Sequence, residues 1–168
     1  MDLDSLYLRV LKFLNFRPRS EKEIRDYLKK KIEKFPDSDS SVIDLIVHKL
    51  KQQKFLNDAE FAKMWIRSRT EYKPKGERFI RMELKQKGID KELIDVAFSE
   101  YDKDQQRVQA EGRSETSLAI AILDRKRRKY EHMEVRERFN KAGSMLARRG
   151  FDLDSIKAAI DVVFGKMV

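Results

Sequence analysis

Residues 77–90 read "ERFIRMELKQKGID", and residues 145–152 read "MLARRGFD". Both carry a leucine, three intervening residues, a glycine, an apolar residue and an aspartate in the same order. Leu84, Gly88 and Asp90 fall on Leu146, Gly150 and Asp152 after a shift of 62. Each glycine stands where an amphipathic helix should stop, because glycine enters the left-handed C-cap conformation at little cost. Each aspartate is a good N-cap for the helix that follows, since its carboxylate accepts orphan backbone N–H groups.

The helices on either side repeat as well. After Asp90, Leu93, Ile94, Ala97, Phe98 and Tyr101 form one apolar face. Ile156, Ala159, Ile160 and Val163 occupy the same places 62 positions on. Upstream, Ile24 and Leu28 match Ile80 and Leu84 at a shift of 56, and Val42, Ile43, Ile46, Val47 and Leu50 match the next face at 51. The difference falls in "EKFPDSDSS", residues 33–41, a segment where an insertion costs little. An earlier helix precedes each pair: Leu6 to about Phe16, about Asp58 to Tyr72, and about Ser117 to Tyr130. Ser20 with Glu23 reads as a capping box ahead of the second helix of the first unit. The pattern is all-α, three tandem three-helix repeats spanning 1–55, 56–101 and 102–168. Residues 102–116, polar and without a clear stripe, extend the neighbouring helices or link them.

Composition agrees with a thin core and a large surface. Of 168 residues, 40% are charged and 40% hydrophobic, with six glycines and three prolines. The charged share is well above the usual quarter. No cysteine is present, which excludes disulfides, thiolate metal sites and cysteine nucleophiles. No apolar run is long enough to span a membrane, and no basic segment precedes an apolar one at the start. These features point to a cytoplasmic monomer without a membrane partner.

The net charge is +9, which favours polyanionic partners. Lys/Arg against Asp/Glu run 13 to 9 over residues 1–57, 10 to 9 over 58–101 and 15 to 11 over 102–168. Candidate contacts are Lys29 and Lys30 in the first unit. The second unit adds Arg67, Arg69, Lys73, Lys75, Arg78, Arg81 and Lys85. The third adds Arg125, Arg127, Arg128, Arg148 and Arg149. Arg78, Arg81 and Lys85 are spaced three and four apart and share a helix face. The run "RKRRK", 125–129, winds over more than one turn, so part of it is simply solvated. Phe61, Trp65 and Phe79 read as core rather than as stacking platforms.

No phosphate-cradling glycine loop, nucleophile–base pair or metal-ligand spacing occurs, which predicts a protein that is not an enzyme and needs no cofactor. His48 and His132 lie far apart, and His48 reads as a flank residue. The middle helices mix Glu77 and Glu83 with cations, a pattern poor for base readout of duplex DNA.

Several stretches carry a family resemblance. "PRSEKEIRDYLKKK", "KFLNDAEFAKMWIRSRTEYKPKGERFIRMELKQKGIDKELIDVAF", "DRKRRKYE" and "LARRGFDLDSIKAAI" together resemble the RecX regulatory proteins of bacteria, from about Leu6 to Phe164 and most closely over residues 55–98. The family places a Gly-Pro pair ahead of the middle helix of the second unit, where this chain reads "KPKGE". The resemblance implies an elongated, curved array of the three repeats. It also implies a regulator that binds the RecA recombinase and its filament on single-stranded DNA, limits their activity, and so affects DNA repair, recombination and the SOS response. The alternative is a non-specific nucleic-acid-binding helical protein that acts on DNA directly. Weak direct DNA binding is compatible with either.

Overall fold

The structure is a computed structural model, which describes residues 3–33, 41–72, 74–108 and 114–165. Among them it contains ten helices and no strand. The first unit holds α1 (Leu3–Phe16), α2 (Glu21–Ile32) and α3 (Ser41–Gln52). The second holds α4 (Asp58–Glu71), α5 (Glu77–Gln86) and α6 (Lys91–Val108). The third holds α7 (Glu115–Arg125), α8 (Arg127–Tyr130), α9 (Val135–Ala147) and α10 (Leu153–Phe164).

Each unit closes around its own core. The first gathers Leu6, Val10, Ile24, Leu28, Ile46 and Leu50, with Leu56 at its edge. The second gathers Phe61, Ile66, Ile80, Leu84, Ile94 and Phe98. The third gathers Leu123, Tyr130, Ala142, Leu146, Ile156 and Ile160. Positions matched in the sequence sit alike in space: Leu28, Leu84 and Leu146 are each fully buried, as are Ile24, Ile80 and Ala142. Three small cores in a row leave much surface exposed. The accessible area is 11311 Å² for 20.0 kDa, against about 8,700 Å² for a compact monomer of that mass.

The punctuation works as its chemistry predicts. Ser20 accepts from the Glu23 amide while the Glu23 carboxylate accepts from the Ser20 amide, a complete capping box. Asp152 accepts from the Ser155 amide at 2.7 Å. Gly88 and Gly150 have φ of +80° and +86°, the left-handed conformation that ends their helices.

One expectation needs correction. Residues 117–130 do not form one helix. The ladder tightens at Lys126, whose amide bonds to Leu123 at 2.9 Å, and the Lys129 amide bonds back to Lys126 at 2.9 Å. These three-residue steps turn the chain between α7 and α8. The Arg138 guanidinium then donates to the carbonyls of Tyr130, Glu131 and Met133 at and after the end of α8, where the Tyr130 carbonyl also accepts the Met133 amide. Of the two readings open for residues 102–116, residues 102–108 extend the neighbouring helix α6, while 109–113 lie outside the described residues.

Neighbouring units dock at one recurring place: the start of the middle helix of one unit meets the glycine turn that ends the middle helix of the next. At the first joint the Ser20 hydroxyl donates to the Lys87 carbonyl at 2.7 Å, beside Gly88. The Lys22 ammonium donates to the Gln86 carbonyl at 3.0 Å. At the second joint the Gly76 amide donates to the Arg149 carbonyl at 2.9 Å, beside Gly150. A Cβ on Gly76 would overlap the Gly150 carbonyl, and a Cβ on Gly150 would overlap the Phe79 ring. The "KPKGE" order therefore places Gly76 at the N-cap of α5, where the close approach requires it.

Candidate functional site

The structure divides the sequence-nominated cations into those already neutralised and those left open. Glu83 on α5 is a sink for the first group. Arg69 pairs with it at 2.8 Å, Lys75 pairs with it as well, and the Trp65 indole N–H donates to it at 2.9 Å. Burial by itself raises the pKa of Glu83, but the bonds from Lys75, Arg69 and Trp65 outweigh it and hold the carboxyl below its ordinary value. Arg69 also stacks on Trp65 with its guanidinium 4.2 Å from the ring centre. Trp65 is thus a half-buried structural residue.

Arg81 is similarly committed. It pairs with Glu77 one turn back at 2.6 Å and with Asp95 on α6, and lies 4.5 Å over Phe98. Arg78 and Lys85 remain exposed and have no ion-pair partner among the described residues. The three do line one groove at the joint of the second and third units, of about 950 Å³, but Glu77, Glu115 and Asp152 line it too. Its charge is mixed. Arg67 faces another mixed groove with Glu60, Glu100 and Asp104. Lys73 lies outside the described residues. Lys29 and Lys30 are exposed on α2, have no ion-pair partner among the described residues and line neither joint groove.

The other side of the same joint is different. A groove of about 490 Å³ is lined by Tyr72, Pro74, Lys75, Ile122, Arg125, Lys126 and Arg149. It contains four cations and no carboxylate. Lys75 is held by Glu83, while Arg125, Lys126 and Arg149 have no ion-pair partner among the described residues. Tyr72, at the end of α4, is 80% exposed beside them. The break at Lys126 puts Arg125 and Lys126 at the groove, and the left-handed turn at Gly150 puts Arg149 opposite. Arg127, Arg128 and Arg148, nearby in sequence, are exposed with no ion-pair partner among the described residues, and do not line it. Sequence reasoning reached Lys75, Arg125 and Arg149. It did not single out Tyr72, read only as a helix end, or Lys126, read only as part of a run.

This groove suits a polyanion. Unpaired guanidinium and ammonium groups bind phosphate or carboxylate oxygens without first breaking an internal ion pair. An exposed ring next to them offers a face to a base. Among the described residues no three His, Asp or Glu side chains are placed to hold a metal ion, and no helix is long and apolar enough to cross a membrane.

The fold and this surface define a tandem array of three-helix units with a basic junction. Comparison with known proteins gives that class its family. Residues 7–34, 57–97 and 114–160 match, in turn, the first, second and third three-helix domains of RecX. The regulatory protein RecX of Bacillus velezensis (strain DSM 23117 / BGSC 10A6 / LMG 26770 / FZB42) is 35% identical over 160 residues, 95% of this chain and 56% of that one. That of Bacillus subtilis (strain 168) is 33% identical over 155 residues, 92% and 53%. The chain therefore spans about half the length of these curated relatives. A crystal structure of RecX from Lactobacillus salivarius superposes with a TM-score of 0.73 at 25% identity, covering 96% of each chain. The chain belongs to the RecX regulatory protein family.

Proposed function

We propose that this protein binds the RecA recombinase filament on single-stranded DNA and lowers its activity, as a monomer in the cytoplasm, with no catalysis or cofactor of its own. The observation that carries the proposal is the groove of Arg125, Lys126 and Arg149, which have no ion-pair partner among the described residues while many other cations are neutralised internally. A nucleoprotein filament presents phosphates and carboxylates together, and a groove with free cations beside an exposed ring fits both. Family membership supports the regulatory role. The second reading, direct binding to nucleic acid, draws on the same cations and on Tyr72.

The test is the rate of ATP hydrolysis by RecA on single-stranded DNA as the protein is titrated. Suppression is expected well below one molecule per RecA protomer. It should be lost in the Arg125→Glu, Lys126→Glu, Arg149→Glu triple variant, with helical content unchanged. Arg78→Glu with Lys85→Glu should weaken it less, because the carboxylates of that groove already offset its cations. An effect seen only at concentrations that coat the DNA, with a steep salt dependence, favours the second reading. No effect of either kind overturns both.

A further inference from the structure

The first unit carries a second surface that the basic groove does not use. Helix α1 has two apolar faces. One, with Leu6, Tyr7 and Val10, enters the core. The other presents Leu8, with Leu11 three residues on at the border of the two faces, partly buried against the core, and Lys12 and Asn15 at the next helical steps. Leu8 is 58% exposed, Phe16 at the helix end is 84% exposed, and Phe55, across from them in the turn after α3, is 55% exposed. With Leu14 and Pro18 these side chains line a groove of about 760 Å³. Isolated exposed apolar residues are ordinary, but a contiguous concave set on one unit marks an interaction site.

The charge around this groove has one sign. Lys12, Arg17 and Lys54 line it, and no carboxylate does. Arg17 is bound to Glu23 at 2.6 Å, whereas Lys12 and Lys54 have no ion-pair partner among the described residues.

Lys54 is set apart by its backbone. Its φ of +60° is left-handed, and it is the one non-glycine residue with positive φ among those described. It stands at the turn that ends α3, where the Phe55 and Leu56 amides both return to the Leu50 carbonyl at 2.9 and 3.3 Å. The turns that end α5 and α9 place glycine in this conformation. A lysine here retains backbone strain that glycine would relieve. What the lysine adds is a cation on the groove's rim, next to Phe55.

We infer that this groove is a docking site for an acidic amphipathic helix of a partner protein. The leucine and phenylalanine side chains would take the partner's apolar anchors, as in helix-in-groove recognition. Lys12 and Lys54 would meet its flanking carboxylates. The aliphatic floor of Leu8, Leu11 and Leu14 offers phosphate no hydrogen-bond donor, which favours a peptide over a nucleic acid. The inference is independent of the function proposed for the basic junction.

The experiment uses the full chain and a fluorescein-labelled synthetic peptide roughly 18 residues long, about five helical turns. The peptide carries leucine and phenylalanine along one face and glutamate elsewhere. Saturable binding by fluorescence anisotropy is expected, weakened about tenfold or more by Phe16→Ser with Phe55→Ser, and likewise when the peptide's glutamates become glutamine. Lys54→Gly separates a binding role from a folding role: it should raise the melting temperature and still weaken binding. No saturable binding, or binding unchanged by these variants or by the glutamine peptide, overturns the proposal. So does a concentration-dependent dimer in sedimentation that the Phe16→Ser, Phe55→Ser variant abolishes, which would give the groove to a second copy. Capture by vesicles of phosphatidylglycerol and phosphatidylcholine, lost in the same variant while the peptide fails to bind, would give it to a lipid surface and equally overturn it.

Discussion

The two joints between units occupy the same place in the repeat and use different chemistry. At the first, Ser20 caps α2 and its hydroxyl reaches the Lys87 carbonyl, while Lys22 reaches Gln86 and Lys87 pairs with Glu23 at 3.1 Å. At the second, the cap residue is Gly76, which has no side chain, and its own amide reaches the Arg149 carbonyl. A serine hydroxyl and a glycine amide thus do one job at two distances. The serine joint is held by side chains and charges that titrate. The glycine joint is held by backbone against backbone, so it is closer and carries no ionisable group in its central bond. Repeats can keep one docking geometry while exchanging the groups that enforce it, because the approach of the helix end to the turn is what the array conserves.

The sharpest way to break this comparison is Gly76→Ala. Its methyl group would overlap the Gly150 carbonyl, a rigid backbone atom. The second and third units should part, at a cost of about 3 kcal/mol or more, the upper end for overpacking. Small-angle scattering should show a larger radius of gyration with helical content kept. An unchanged radius would show that the joint yields without opening.

Ser20→Ala attacks the other joint and should cost about 1–2 kcal/mol, for a lost cap and a lost bond to a carbonyl. Denaturant unfolding followed by circular dichroism measures it. The first joint should survive, since Lys22 and Lys87 still bridge it. A loss as large as that of Gly76→Ala would erase the distinction between the two joints.

The smallest effect expected is on pH. Burial alone raises the pKa of Glu23, but the bonds from Arg17, Lys87 and the Ser20 amide outweigh it and hold the carboxyl at about 2, below its ordinary 4.5. A carboxyl depressed in the folded state contributes stability that is full above the ordinary value and is lost as pH falls through the folded one. The first joint should therefore loosen between about pH 4.5 and 2. Asp58, which accepts the Glu21 amide at 2.8 Å, has its pKa raised by burial and by the Glu21 charge against the pull of that amide. It protonates earlier and makes no second loss in that window. Amide resonances of Gly88 should shift over this range by more than those of Gly76, whose joint has Asp152 and Glu115 titrating beside it but no carboxylate in its central bond. Parallel shifts at both would mean that the acid transition is global.

Most of the repeat could be read from the sequence because its signals are local. The glycine turns, the capping box and the apolar faces each depend on residues within a turn or two. Leu28, Leu84 and Leu146 are recognisable from the sequence as equivalent core positions, since the helical period and the glycine turns align them. The break at Lys126 was not legible. Nothing in "RKRRK" ends a helix, and the bend is completed by Arg138, which reaches back from the next helix to three carbonyls.

The candidate site was legible only in outline. The sequence offered Arg69, Lys75, Arg78, Arg81 and Lys85 as comparable cations. Folding ties Arg69 and Lys75 to Glu83 and Arg81 to Asp95, and gives Arg78 and Lys85 no ion-pair partner among the described residues. Tyr72 became a groove residue only through the approach of α7 and the Gly150 turn.

What the sequence determined by itself is the all-helical repeat, its capping and its excess of positive charge. The helical period, the caps and the glycine turns act over a few residues, and net charge is a sum. What the tertiary structure alone decided is which cations remain free, how closely the units approach, and that a lysine holds a strained turn beside an apolar groove. Those outcomes depend on partners brought together across the chain, and Coulomb attraction and steric overlap are set by distance in space rather than by distance in sequence.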